Sequence, residues 1–311
     1  LTLRALRDLF DTRIPVTWAL LGLAVFLALL WGWFSAGLVM KLTRFPIQVL
    51  PGAFGRPFQD VEIPTEDGVA LKGWFVPAPA PSDATIVLSH GWGANRSDIL
   101  PHTVFLSTAG GYNLLYFDFR NHGESGGDRS SLTVLEQRDL RGALKWLWAE
   151  KPEQSRRTAL YGLSMGGAAS LSVAADDPRV AAVCAESPFS SFRDVVARFA
   201  KLFYGVPRHP FVDCTFLFIR WRLGFDPEPA SPVYSIRRIS PRPVFLIQGA
   251  ADVRMPPSEG ERLYAAAAEP KALWTVPEAD HGQAAEVAGA EYRRRLLEFY
   301  RAALAAPARG S

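Results

Sequence analysis

A short apolar run at residues 158–163, TALYGL, passes without a loop into MGGAASLSVAA. The run has the length and composition of a buried strand, and the Gly/Ala-rich continuation fits a helix packed close to its neighbours. A strand that turns directly into a helix is a unit of alternating α/β architecture. At the junction stands Gly162-Leu163-Ser164-Met165-Gly166, a G-x-S-x-G sequence. A serine on that turn is crowded, and Gly162 and Gly166 relieve the crowding. Its hydroxyl then stands clear of the backbone, while nearby amides face a developing oxyanion at the helix N-terminus. The same pattern recurs at Gly123-Glu124-Ser125-Gly126-Gly127. There it follows a charged loop and runs into turn composition, not a helix start. Ser164 is therefore the candidate nucleophile.

The flanking chain repeats the alternation. Residues 59–64 and 69–76 read as an antiparallel hairpin around Glu66-Asp67-Gly68. Buried strands are expected at 85–89, 112–117, 180–186, 243–248 and 272–276, and helices at 97–107, 132–149, 257–268 and 287–303. This predicts an α/β fold: a mostly parallel sheet with right-handed crossovers, flanking helices and an antiparallel N-terminal hairpin.

A serine hydroxyl needs a base, and the base needs an orienting carboxylate. His281, in Glu278-Ala279-Asp280-His281-Gly282, follows the last strand, and Asp252 follows the strand before it. The order Ser164, Asp252, His281 is the one such a sheet requires. The plainer readings make His281 a surface loop residue and Asp252 a cap for the turn before Pro256. Asp194 and Glu186 are alternative acids, whereas Asp280 adjoins His281 in sequence and should point elsewhere. His102 and His209 are expected to have no catalytic role.

His90-Gly91-Trp92-Gly93 follows a strand, where the Trp92 amide would face the oxyanion opposite the Met165 amide. The alternative is a simple strand-to-helix turn. His90 reads as a structural residue, and Asp118, Arg120 and His122 as a buried polar network.

Residues 16–40, VTWALLGLAVFLALLWGWFSAGLVM, carry no charge. As a helix they extend about 37 Å against a hydrocarbon core of about 30 Å. Trp18, Trp31 and Trp33 suit interfacial belts. The run is too long for a signal peptide and no A-x-A site follows it; a buried core helix would rarely stay uncharged for so long. A single transmembrane helix at 16–40 is expected, after a tail at 1–15 and before a connector at 41–58. Residues 1–42 are then expected to be dispensable for chemistry. Arg4, Arg7 and Arg13 before the span balance Lys41, Arg44 and Arg56 after it, so the positive-inside rule sets no direction. A short-tailed signal anchor would leave the catalytic domain outside the cytoplasm.

The net charge of +3 is scattered, with no basic run of five, which argues against a nucleic-acid partner. Two cysteines without a Cys/His cluster give no zinc pattern.

The motifs together resemble the α/β-hydrolase superfamily, in particular its membrane-anchored serine hydrolases grouped with serine-aminopeptidase-like and abhydrolase-domain proteins. The resemblance rests on HGWGANRSD at 90–98, DFRNHGES at 118–125, GLSMGG at 162–167, SPVYSIRRI at 231–239, FLIQGAADVRMPP at 245–257 and EADHG at 278–282. It covers the chain from about residue 60 onward, and Gln248 departs from the histidine common at that place. The resemblance implies a hydrolase domain at 59–306, a Ser164–Asp252–His281 triad, an oxyanion hole of Trp92 and Met165 amides, and no metal or organic cofactor. It leaves the substrate open. The first expectation is an ester or thioester of an acyl or lipid substrate; a serine peptidase or aminopeptidase and a catalytically silent membrane scaffold are the alternatives. Residues 189–240 would form a lid. Their large apolar groups, among them Phe216, Phe218 and Trp221, with Arg220, Arg222, Arg237 and Arg238 interspersed, point to a medium-chain acyl preference.

Overall fold

The strand runs become β1 (Gln59–Pro64), β2 (Ala70–Val76), β3 (Ala84–Ser89), β4 (Asn113–Phe117), β5 (Arg157–Leu163), β6 (Val180–Glu186), β7 (Val244–Gly249) and β8 (Lys271–Val276). They form one sheet in the order β1-β2-β4-β3-β5-β6-β7-β8. β1 pairs with β2, and β2 with β4, in antiparallel fashion; every other pairing is parallel. These relationships come from a computed structural model that describes residues 16–305. The expected tail at 1–15, with Arg4, Arg7 and Arg13, lies outside the described residues, as does residue 306 of the expected hydrolase domain.

The helices are α1 (Val16–Met40), α2 (Val134–Glu150), α3 (Met165–Asp176), α4 (Phe192–Tyr204), α5 (Asp213–Leu223), α6 (Pro257–Ala266), α7 (Ala284–Ala288) and α8 (Ala290–Leu304). Both faces of the central strands are covered, which is why β3 and β4 are buried at every position and read as continuous apolar runs. Leu115 and Phe117 pack toward α2 and α3, whereas Leu114 and Tyr116 pack toward α8.

Two expected helices are interrupted. The one expected at 97–107 is a pair of single turns, Leu100–Thr103 and Phe105–Thr108. Its beginning stays a loop because the Asn95 side chain receives both the amide and hydroxyl of Ser97, at 2.9 and 2.6 Å, and itself donates to the carbonyls of Phe45 and Pro46. The one expected at 287–303 is divided into α7 and α8 at Gly289, whose φ of 49° lies outside the right-handed helical region.

Contrary to the expectation that residues 1–42 can be removed without touching the catalytic domain, α1 is not detached from the body. Ala28, Gly32, Ser35, Ala36 and Met40 fall on one buried stripe. Gly32 meets the backbone of Cys214 so closely that a Cβ would come within 2.5 Å of its carbonyl carbon. Ser35 Oγ and Thr215 Oγ1 are 2.8 Å apart, and the Trp33 ring stands edge-on to Phe218 at 5.7 Å. At the end of α1, the Met40 carbonyl accepts from the Ser130 amide at 2.8 Å and from Asn121 Nδ2 at 3.3 Å.

Candidate active site

The sheet reverses its direction of winding at β3, which lies between β4 and β5 with Ser89 in register with Gly162. A crevice opens at the carboxyl ends of strands at such a point. The His90–Gly93 turn and Ser164 leave the sheet side by side there. Ser164 has φ 54° and ψ −115°, an uncommon conformation for a residue with a side chain. The surroundings hold it: a Cβ on Gly162 would strike the Gly166 carbonyl, and one on Gly166 would strike the carbonyls of Ser89 and His90. The Ser164 amide donates to the Glu186 carbonyl at 2.8 Å. Ser164 Oγ has no hydrogen-bond partner among the described residues.

Asp252 lies just beyond β7, and its Oδ1 accepts the amides of Arg254 and Met255 at 2.9 and 2.7 Å. Its Oδ2 accepts from His281 Nδ1 at 2.8 Å. The Asp252 side chain is fully buried and that of His281 is 14% exposed. With Nδ1 donating to the carboxylate, Nε2 is the basic nitrogen. Asp252 is the one hydrogen-bond partner of the His281 ring among the described residues. The His281 loop overhangs the end of β5, since a Cβ on Gly282 would lie 3.3 Å from the Leu163 side chain.

The alternative acids are committed elsewhere. Glu186 accepts the phenol hydroxyls of Tyr161 at 2.9 Å and Tyr292 at 2.8 Å, and burial pushes its pKa up. Asp194 pairs with Arg262 at 2.5 Å and Arg208 at 3.5 Å. Asp280 accepts the backbone amide of His281 at 2.7 Å. Sequence reasoning noted Gln248 only as a departure from the common histidine and gave it no role; its Nε2 donates to the Met255 carbonyl and lies 3.4 Å from Asp252 Oδ2. Its position four residues before Asp252, at the end of a buried strand, was the available signal.

Beside Ser164, a Cβ on Gly91 would be 3.4 Å from the serine Cβ. Neither the Trp92 nor the Met165 amide donates to a protein acceptor among the described residues. His90 Nδ1–H donates to the Gly91 carbonyl at 2.7 Å and Nε2 accepts the Phe119 amide at 3.0 Å. Burial lowers its pKa well below the usual histidine value, so it is a neutral brace. The Trp92 side chain reaches outward: Nε1 donates to the Val39 carbonyl of α1 at 3.4 Å, and its ring is 6.3 Å from that of Phe199 in α4.

Asp118, Arg120 and His122 form the polar network below. Asp118 accepts the amides of Arg96 and Glu124 at 2.7 and 2.9 Å, and Arg120 forks onto Asp67 at 2.8 Å and Asp139 at 2.7 Å. His122 Nδ1 donates to the Arg120 carbonyl at 2.8 Å. Ser125 is enclosed; its hydroxyl donates to the Asp118 carbonyl at 2.6 Å and accepts the Lys72 amide at 2.8 Å. His102 lies 3.9 Å from Glu286 and His209 2.6 Å from Asp213.

Residues 68–204 match the family described as X-Pro dipeptidyl-peptidase (S15 family). Uncharacterized protein YfhR of Escherichia coli (strain K12) is 30% identical over 253 residues, covering 79% of this chain and 81% of its own. Uncharacterized protein YqkD of Bacillus subtilis (strain 168) is 30% identical over 240 residues, 76% of this chain and 77% of its own. Among solved structures, the Pyrococcus furiosus esterase Pf2001 superposes with a TM-score of 0.70 at 28% identity, covering 84% of this chain and 99% of its own.

Proposed function

We propose, from the premise that this chain belongs to the α/β-hydrolase superfamily, that it is a membrane-anchored serine hydrolase cleaving carboxylic esters or thioesters of acyl or lipid substrates. The observation that carries the reading is the buried Asp252–His281 bond at the carboxyl edge of the sheet that also bears Ser164 in its strained turn. Ser164 Oγ attacks the acyl carbonyl carbon as its proton passes to His281 Nε2, and Asp252 stabilises the imidazolium through Nδ1–H. The amides of Trp92 and Met165 receive the negative oxygen, each such donor being worth on the order of 10² to 10³ in rate. Collapse expels the alcohol or thiol, which takes the proton from His281. Water, deprotonated by the same nitrogen, then attacks the acyl-enzyme and releases the acid.

The match to an X-Pro dipeptidyl-peptidase family favours a second reading, a peptidase. A carboxylate left unpaired near the site would suit the substrate amine of an exopeptidase. In the insertion at 189–240, basic side chains outnumber acidic ones eight to four. All four acids are engaged: Asp194 with Arg262, Asp213 with His209, Asp226 with Arg193 and Arg220, and Glu228 with Ser191, Tyr234 and the Arg193 amide. That charge balance supports a neutral or anionic acyl substrate over an amine.

α1 supplies the anchor in this reading, as an uncharged helix of 25 residues. A panel of p-nitrophenyl acetate and octanoate, an octanoyl thioester and an aminoacyl amide tests the assignment. Turnover of the octanoyl compounds above the acetyl ester is expected, and a preference for the aminoacyl amide would replace this reading with the peptidase.

A further inference from the structure

Every residue of α1 from Val16 to Leu27 is exposed, but Ala28 opens a stripe that packs on the insertion. Twelve residues of helix rise about 18 Å, well short of a hydrocarbon core of about 30 Å. The missing length is about eight residues, which carries the span through Ala28–Ser35. Those turns are the ones in contact with α5, through Gly32 on Cys214 and Ser35 on Thr215. If α1 crosses a bilayer, as the proposed function holds, α5 is carried to the boundary between acyl chains and head groups.

The surface of that region suits such a place. Trp33 stacks in a tilted arrangement on Trp221 at 5.9 Å, and Trp31 meets Tyr204 edge-on at 5.2 Å. The apolar rim continues outward through Phe34, Phe203 and Leu217, each more than half exposed, and Trp221 is 67% exposed. Arg222 lies over the Trp33 ring at 4.3 Å and donates to its carbonyl at 2.8 Å, a long cationic side chain lying along the apolar patch with its head at the level of an interfacial tryptophan. Arg220 and Arg208, on the same insertion, are half exposed. Apolar side chains rimmed by arginine on short helices are the composition of a surface that lies in an interface.

We propose that the insertion helices α4 and α5, together with the last turns of α1, form a second membrane contact whose occupant is the acyl/head-group boundary of the leaflet next to the catalytic domain. The same elements lead to the site: Phe199 of α4 and Val39 of α1 both meet Trp92, the residue after Gly91, which faces Ser164. An acyl substrate therefore reaches the crevice from the bilayer along this surface, and the soluble head of the substrate remains on the water side.

The test uses the full chain in phosphatidylcholine vesicles, in a Cys214→Ala background in which Cys184 stays buried, with one accessible reporter thiol from Trp221→Cys, Leu217→Cys or, as the water-facing control, Glu298→Cys. Each is labelled with bimane and compared in vesicles with and without brominated acyl chains. Fluorophosphonate labelling confirms that each variant is folded. The reporters at 217 and 221 are expected to be quenched by brominated lipid while the control is not, and their thiols to react on the order of tenfold more slowly with an aqueous reagent. Unquenched reporters at 217 and 221 on protein that resists carbonate extraction would overturn the second contact while leaving the α1 anchor standing. Protection from the aqueous reagent without quenching would also overturn it, since a second copy of the chain would then be the cover. Release of the whole protein by carbonate would instead refute the spanning helix itself.

Discussion

Ser35 and Thr215 share a buried hydrogen bond of 2.8 Å across 180 residues of sequence. One belongs to the uncharged N-terminal helix and the other to the insertion between β6 and β7. The pair joins the two helices where they touch, and each hydroxyl also has a carbonyl of its own helix in reach, Trp31 for Ser35 at 2.7 Å and Phe211 for Thr215 at 3.1 Å. The N-terminal helix is thus a wall of the folded body as well as the proposed anchor, and it reaches the site through Trp92.

That coupling gives an expectation for Gly32→Leu. Its side chain would have to displace the Cys214 backbone, whereas Gly22 faces nothing within 4 Å. Gly32→Leu should remain in membranes yet lose octanoyl ester turnover by roughly tenfold and unfold at lower temperature, since overpacking costs about 1–3 kcal/mol. Gly22→Leu should match wild type in both. Equal behaviour of the two variants would show that helix docking does not matter to the site.

The two serines of the repeated motif should separate cleanly. Ser164→Ala should abolish fluorophosphonate labelling and reduce kcat by up to about 10⁶. Ser125→Ala removes the bridge between the Lys72 amide and the Asp118 carbonyl. It should cost about 1–3 kcal/mol of stability, measured by thermal unfolding, while probe labelling persists.

Two glycines beside the serine differ in the room they have. Gly166→Ala places a methyl into the Ser89 carbonyl and should destroy folding or activity outright. Gly91→Ala makes an ordinary 3.4 Å contact with Ser164. Its expected effect is a folded enzyme with a raised KM, read from steady-state kinetics with acetyl and octanoyl esters.

Gln248→Leu removes the side chain that ties the Asp252 loop through Met255. The expected result is a fall in kcat of about tenfold with KM little changed, as for groups that orient a ligand or base from behind it. Gln248→His, which restores a donor at that place, should recover most of the loss. A purely structural role would lower the unfolding temperature without this kcat recovery.

Hydrogen bonds from Arg120 hold the Asp67 carboxyl well below its ordinary range. A depressed carboxyl contributes its stability above the unfolded pKa of about 4 and loses it as pH falls toward the folded value. Asp67→Asn should therefore destabilise the protein near neutral pH by about 1 kcal/mol, solvent screening included. The gap to wild type should narrow steadily below about pH 4. Thermal unfolding across pH checks this; a gap that widens in acid would contradict it.

Much of the architecture was legible in the chain because it is written in local pattern. The run 158–163, the two residues needed at 162 and 166, and the alternation of strand and helix each depend on neighbours in sequence, and the eight-stranded sheet follows them closely. The meeting of Asp252 and His281 has a related local reason: both lie a few residues past a strand end, and parallel strands deliver their loops to one edge. The role of Gln248 was not legible, since an amide at the end of a buried strand shows no partner until the loop folds back over it. Glu186 could be set aside as the acid only once Tyr161 and Tyr292, on separate elements, were seen to hold its carboxylate. The N-terminal helix marks the division most clearly. Its sequence determined length, helicity and lack of charge, which are additive properties of consecutive residues. Its docking on α5 depends on the small residues at 28, 32, 35 and 36 finding a complementary surface nearly two hundred residues away, and only tertiary packing decides that.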